Sequence, residues 1–213
     1  MKTFDLTHTI KNGMPAWPGE VSPVLEKIYT HVIEGIQVIK LQALTHSGTH
    51  LDTPAHFFDN GQTTDVLPVD NFFGKGLVID CRTVGKCEEI PFSHLEPFSY
   101  KIKQSDFVLI RTDWDRFWGM DEYFDHFPVL SVEASEFLIS CGVKGIGLDV
   151  PSIDDIDSKA YPNHNLILGN KIIVIENLTG LAQIPDQEFY FSALPLKIHD
   201  GDGSPVRAIA ILM

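Results

Sequence analysis

The sequence predicts a single mixed-sheet α/β domain, and three observations carry that reading. Short apolar runs rich in β-branched residues recur along the chain, fewer helical stretches lie between them, and no linker or repeat divides its 213 residues. The hydrophobic share of 44% and the charged share of 21% are those of a globular protein, and the length is ample for a real core. Residues 36–45 partly alternate and read as a strand. Residues 77–80, 107–110 and 172–175 are apolar runs suited to strands buried on both faces. Ser131 caps a predicted helix that runs to about Cys141 and stops at Gly142. A second helix is predicted over 159–168, ending at Gly169, with Pro162 disturbing its first turn. Residues 189–198 and 206–212 read as two late strands.

Charge and cysteine usage exclude several classes. Sixteen Lys and Arg against 29 Asp and Glu leave a net charge of −13, which argues against nucleic acid as a partner. No run of 18 apolar residues predicts a membrane span. The N-terminal residues, with Asp5 and no apolar core, show no signal-peptide pattern, so a cytoplasmic address is expected. Cys81, Cys87 and Cys141 form no CxxC pair and read as buried free thiols.

The segment from Thr45 to Phe58 carries the chemistry. Three of nine histidines, His46, His50 and His56, fall within eleven positions. An even spread would put roughly half a histidine there. Gly48 and Pro54 interrupt any helix, so a turn followed by an extended piece is expected. Period-two alternation would then place His50, Asp52, Pro54 and His56 on one face, with His46 folded back by the turn. Imidazoles converging with a carboxylate suit Zn²⁺, Mn²⁺ or Fe²⁺. Downstream, Glu176 follows a buried strand and reads equally as a metal ligand or as the ion-pair partner of Arg207 or Arg111; His164 alone is a weaker signal. Trp17, in a Pro-rich loop, reads equally as a substrate-stacking ring or a core residue. The acid run Asp154-Asp155-Ile156-Asp157 reads as a solvated loop or helix flank. Arg207 reads as a residue that fixes its own turn.

The stretch His46-x-Gly48-Thr49-His50-x-Asp52-x-Pro54-x-His56-Phe57 resembles the signature of the cyclase-like metal hydrolases, which include bacterial kynurenine formamidase and isatin hydrolase. The resemblance extends to residues 5–7, 15–19, 175–178, 193–196 and 202–208, so it covers nearly the whole chain. It implies a swivelling β/β/α fold and two divalent metal ions, zinc first and manganese second. By the same resemblance, His46, His50 and Asp52 hold one ion, while Asp52 and Glu176 bridge to a second that His164 also binds. His56 matches the proton donor and acceptor, and Trp17 an aromatic at the substrate site. The isatin-hydrolase branch is similar but carries an amide where this chain has Glu176. The carboxylate therefore points to an aryl formamidase of tryptophan catabolism by the kynurenine route. A homodimer or larger homo-oligomer acting on a small molecule is the implied assembly. Ring opening of a cyclic amide, imide or lactone is the alternative activity, and a non-catalytic metal-binding scaffold the alternative class.

Overall fold

The apolar runs close into one nine-stranded mixed sheet in the computed structural model, which describes residues 1–86 and 88–213. In chain order the strands are β1 (Lys2–Asp5), β2 (Val24–Tyr29), β3 (Val38–Gln42), β4 (His50–Asp52), β5 (Phe73–Asp80), β6 (Glu89–Ile90) and β7 (Phe107–Arg111). They continue with β8 (Val129–Leu130), β9 (Gly145–Leu148), β10 (Ile173–Glu176), β11 (Phe189–Ser192), β12 (Gly203–Pro205) and β13 (Ile209–Leu212). The large sheet runs β1-β13-β11-β5-β7-β9-β10-β4-β12. Its centre, β5-β7-β9-β10, is parallel, and antiparallel strands flank it on both sides. The buried stretches of the central strands are apolar because both faces are covered, and successive side chains alternate between two cores. Ile79, Ile110, Ile146 and Val174 enter one core; Leu51, Leu109, Ile173 and Ile175 enter the other.

The two longest helices pack on the first face. Ser131 caps Val132–Ser140 by accepting a hydrogen bond from the Ala134 amide at 3.2 Å. The second helix is Pro162–Gly169, three residues shorter at its start than the sequence predicts. Proline has no amide to donate and is preset for the first helical position, so Pro162 begins this helix instead of disturbing it.

Three strand expectations change. The segment 36–45 contracts to β3, which pairs with β2 in a separate hairpin and is exposed along its whole length. The segment 189–198 stops at Ser192, because Pro195 has no amide for a ladder and makes an isolated bridge with Val206. In the segment 206–212 only Ile209–Leu212 is strand, and β12 precedes it. Cys81 is buried and Cys141 half-buried, both as free thiols, while Cys87 lies outside the described residues. Among the described residues no helix is long and apolar enough to cross a membrane.

Candidate metal centre

The site forms where β4 is inserted between β10 and β12. Glu176 stands opposite His50 and Val174 opposite Asp52, so the pairing turns His50, Asp52 and Glu176 to one face. Opposite Asp52 on the other side is Gly203, where an added Cβ would lie 2.7 Å from His46 Cε1. Only glycine leaves room there for the His46 ring. Gly48, with φ at 66°, supplies the expected turn before β4. The extended piece ends earlier than predicted. Pro54–His56 is a 3-10 turn, so His56 reaches the site through that turn and not by strand alternation. Proline at the first position of the turn sets this change of direction. His164 arrives from the helix Pro162–Gly169.

The four groups at the floor are packed as donors around a common point. His50 Nε2 lies 3.3 Å from Asp52 Oδ1 and 3.4 Å from Glu176 Oε2. His164 Nε2 lies 3.3 Å from Glu176 Oε1 and 3.6 Å from Asp52 Oδ2. The other ring nitrogen of each histidine is held by an acceptor: His50 Nδ1 by the Gly48 carbonyl at 2.8 Å, His164 Nδ1 by Asp154 at 2.7 Å. That fixes which nitrogen faces the centre. His46 is held in the opposite sense, with Nε2 on Asp202 at 2.8 Å and Nδ1 on Asp52 Oδ1 at 2.7 Å.

Burial would raise both acids and lower the histidines; the hydrogen bonds between them win. His46 is raised to about 9 through Asp202 and Asp52, and His50 to about 10 through Asp52 and Glu176. Asp52 is held well below the usual carboxylate range, chiefly by His164 and His46. Yet Asp52 Oδ2 is a buried oxygen without a hydrogen-bond partner. A buried acceptor left so costs about 1–3 kcal/mol. A divalent metal fits this donor set of imidazoles and carboxylates, and would occupy that oxygen. Glu176 meets neither arginine considered for it. Arg207 pairs with Asp5 at 2.6 Å, and Arg111 with Asp113 at 2.6 Å. Arg207 therefore ties the chain's two ends together across the β1–β13 edge and does not fix its own turn.

Two carboxylates of this site were not assigned from sequence. Asp154 is 2% exposed and is no part of a solvated loop. It caps the helix start, accepting from the amides of Asn163 (2.9 Å) and His164 (3.0 Å) as well as from the His164 ring. Asp202 is half-buried, and its Oδ2 also lies 3.5 Å from His56 Nδ1. The glycines flanking it, Gly201 and Gly203, were the available sequence signal, since they mark close backbone approach.

Above the centre opens a cavity of about 350 Å³ lined by Trp17, Phe57, Trp118, Phe124 and Tyr161 besides the histidines. Trp17 is half-buried there and meets Phe124 edge-on at 6.1 Å. Phe57 stacks on His164 at 4.8 Å, whereas Phe72 is core and Phe73 and Phe58 are exposed. Among the described residues no lysine or arginine lines this cavity.

The Cyclase family model, described as "Putative cyclase", matches residues 4–155. The kynurenine formamidase of Erythrobacter litoralis is 34% identical over 211 residues, covering 98% of this chain and 93% of the relative. That of Bacillus anthracis is 32% identical over 209 residues, covering 98% and 96%. Among solved structures, isatin hydrolase A from Labrenzia aggregata bound to benzyl benzoate superposes with a TM-score of 0.89 at 28% identity, covering 99% of this chain and 93% of that one. With most of its length matched by the model and near-complete alignment to these relatives, the chain belongs to the cyclase family of α/β hydrolytic enzymes.

Proposed function

We propose that this protein is a metal-dependent aryl formamidase that hydrolyses N-formyl-L-kynurenine to L-kynurenine and formate. The observation that carries the reading is the convergence of His50, His164, Asp52 and Glu176 beneath an aromatic-walled cavity. Its volume falls in the range that encloses a single small ligand, and the full-length likeness to kynurenine formamidases supports the substrate. His46, His50 and Asp52 would hold one divalent ion, and His164 with Asp52 and Glu176 a second, zinc in first place and manganese in second. When bound, such ions lower the pKa of a water and polarise the formyl oxygen. His56 stands at the rim with its ring partly open to solvent. It takes the proton of the attacking water and delivers it to the aniline nitrogen as the formyl C–N bond breaks. Trp17 offers its face to the aryl ring.

The exposed β2–β3 hairpin supports a homo-oligomer. Val24, Ile28, Tyr29, Ile36, Val38, Ile39, Leu41 and Leu44 are all open on it, a surface a second copy would cover. The free thiols suit a reducing cytoplasm. Opening of a cyclic amide is the second reading, favoured by the likeness to isatin hydrolase A.

Hydrolysis of N-formyl-L-kynurenine, before and after chelation and with zinc or manganese restored, tests the proposal. Turnover lost with chelator and regained with metal is expected; no turnover with either metal overturns it. His56→Ala should keep the metals and lose turnover, which a non-catalytic scaffold would not predict. Glu176→Gln should lower metal stoichiometry from two toward one.

A further inference from the structure

Asp202 touches two histidines with different proposed tasks. Its Oδ2 lies 2.8 Å from His46 Nε2 and 3.5 Å from His56 Nδ1, and the two rings are 4.0 Å apart. The loop that carries it is fixed independently of the carboxylate. The Asp202 carbonyl accepts from the Thr53 amide and hydroxyl, each at 2.9 Å, and the Gly201 carbonyl accepts from the Thr64 amide at 2.9 Å. Gly203 is locked into register against Asp52. The backbone therefore delivers a carboxylate to one place whether or not the histidines are there.

We infer that Asp202 is a positioning residue that holds the proposed ligand His46 and the proposed acid–base His56 in register through one shared oxygen. The inference rests on the proposed function for the roles of both histidines and on geometry for the contacts that join them. An acceptor on the far nitrogen of a metal-facing histidine fixes its orientation, and its removal typically costs ten- to hundredfold in metal affinity or activity. The imidazole of His56 has three rotatable neighbours at the rim: Phe57 edge-on at 5.0 Å, His164 at 6.0 Å and His46 itself. Among the described residues Asp202 is the acid its ring contacts.

The test is Asp202→Asn, which retains the shape and leaves the backbone bonds of the loop intact. An asparagine that keeps its oxygen in that place offers both rings only a neutral acceptor, and one that turns its amide over presents N–H to both. Two quantities are read: Zn²⁺ affinity of chelator-stripped protein by competition titration, and kcat and KM for N-formyl-L-kynurenine at saturating zinc. The expected result is a loss of tenfold or more in affinity at one site, with kcat down tenfold or more and KM within twofold. The double variant with His56→Ala should be no slower than His56→Ala alone, because Asp202 acts on turnover through that ring. Affinity and kcat both within twofold of wild type would overturn the inference, as would an additive loss in the double variant. A wild-type protein inert toward the substrate would overturn the proposed function instead. The zinc titration would then decide the Asp202 inference by itself, an unchanged affinity refuting it and a tenfold loss supporting it.

Discussion

Replacing Asp154 separates a structural role from one in metal binding. Its carboxylate accepts three hydrogen bonds in a buried setting: Asn163 N at 2.9 Å, His164 N at 3.0 Å and His164 Nδ1 at 2.7 Å. In Asp154→Asn at least one of these donors faces an N–H and is left unsatisfied, which costs about 1–3 kcal/mol. In Asp154→Ala all three are lost, and roughly 3–5 kcal/mol is expected after partial relaxation. Those losses are read as shifts in urea unfolding of chelator-treated protein. A second measurement in excess zinc isolates the other role. Without Asp154, the ring of His164 is free to turn or to change tautomer, and a ten- to hundredfold loss of metal affinity adds about 1.4–2.7 kcal/mol to the destabilisation. The loss in Asp154→Ala should therefore be larger with zinc than without it. Equal losses in the two conditions would refute the claim that Asp154 prepares His164 for a metal.

Other perturbations test the frame around the site. An alanine at Gly147 in β9 would bring its Cβ within 2.7 Å of both Leu109 Cδ2 and Leu178 Cδ1, so Gly147→Ala should cost about 1–3 kcal/mol by overpacking; an unmoved urea midpoint would refute the tight fit. His8 stacks on Trp118 at 3.9 Å with its Nε2 buried and unpartnered, and burial depresses its pKa to about 4 against the opposing pull of Asp115. Because the unfolded chain binds this proton more readily, stability is lost as pH falls from about 6.5 toward 4, by about 2 kcal/mol at pH 5. His8→Phe should be less acid-sensitive than wild type over that interval; parallel pH profiles would refute the assignment. Charges placed on the hairpin by Ile39→Glu and Leu41→Glu should shift the protein to monomer in sedimentation, and an unchanged mass would clear the hairpin of any interface role.

How much of this was legible depends on how far apart the cooperating residues lie in the chain. His46, His50, Asp52 and His56 sit within eleven positions, so their clustering was visible before any fold was known. Ser131 announced its helix because capping is a local hydrogen bond. The alternation in residues 38–42 revealed a strand but not its exposure, since a two-stranded hairpin outside the main sheet has the same local pattern as an inner edge. Glu176 could be placed at the end of a buried strand, but its choice between histidines and arginines required knowing that Arg207 turns to Asp5, 202 positions away.

The two orienting carboxylates mark the limit more sharply. Asp154 lies in an acidic run, and such runs are solvated when nothing packs over them; only the docking of Pro162–Gly169 puts Asp154 against His164. Asp202 is separated from His46 by 156 positions, and the two meet because β12 pairs antiparallel to β4. His46, His50 and Asp52 are concentrated by a turn and a strand, which a sequence displays directly. The His50 ring is set within the motif by the Gly48 carbonyl, but the carboxylates that hold the other nitrogen of His46 and His164 come from distant loops. A chain with the same eleven-residue cluster but neither Asp154 nor Asp202 would look identical at the motif, yet His46 and His164 would each lose the acceptor that fixes their free nitrogen. The motif thus specifies the chemistry of the donors, while the long-range pairing of β4 with β10 and β12 specifies whether those donors are aimed.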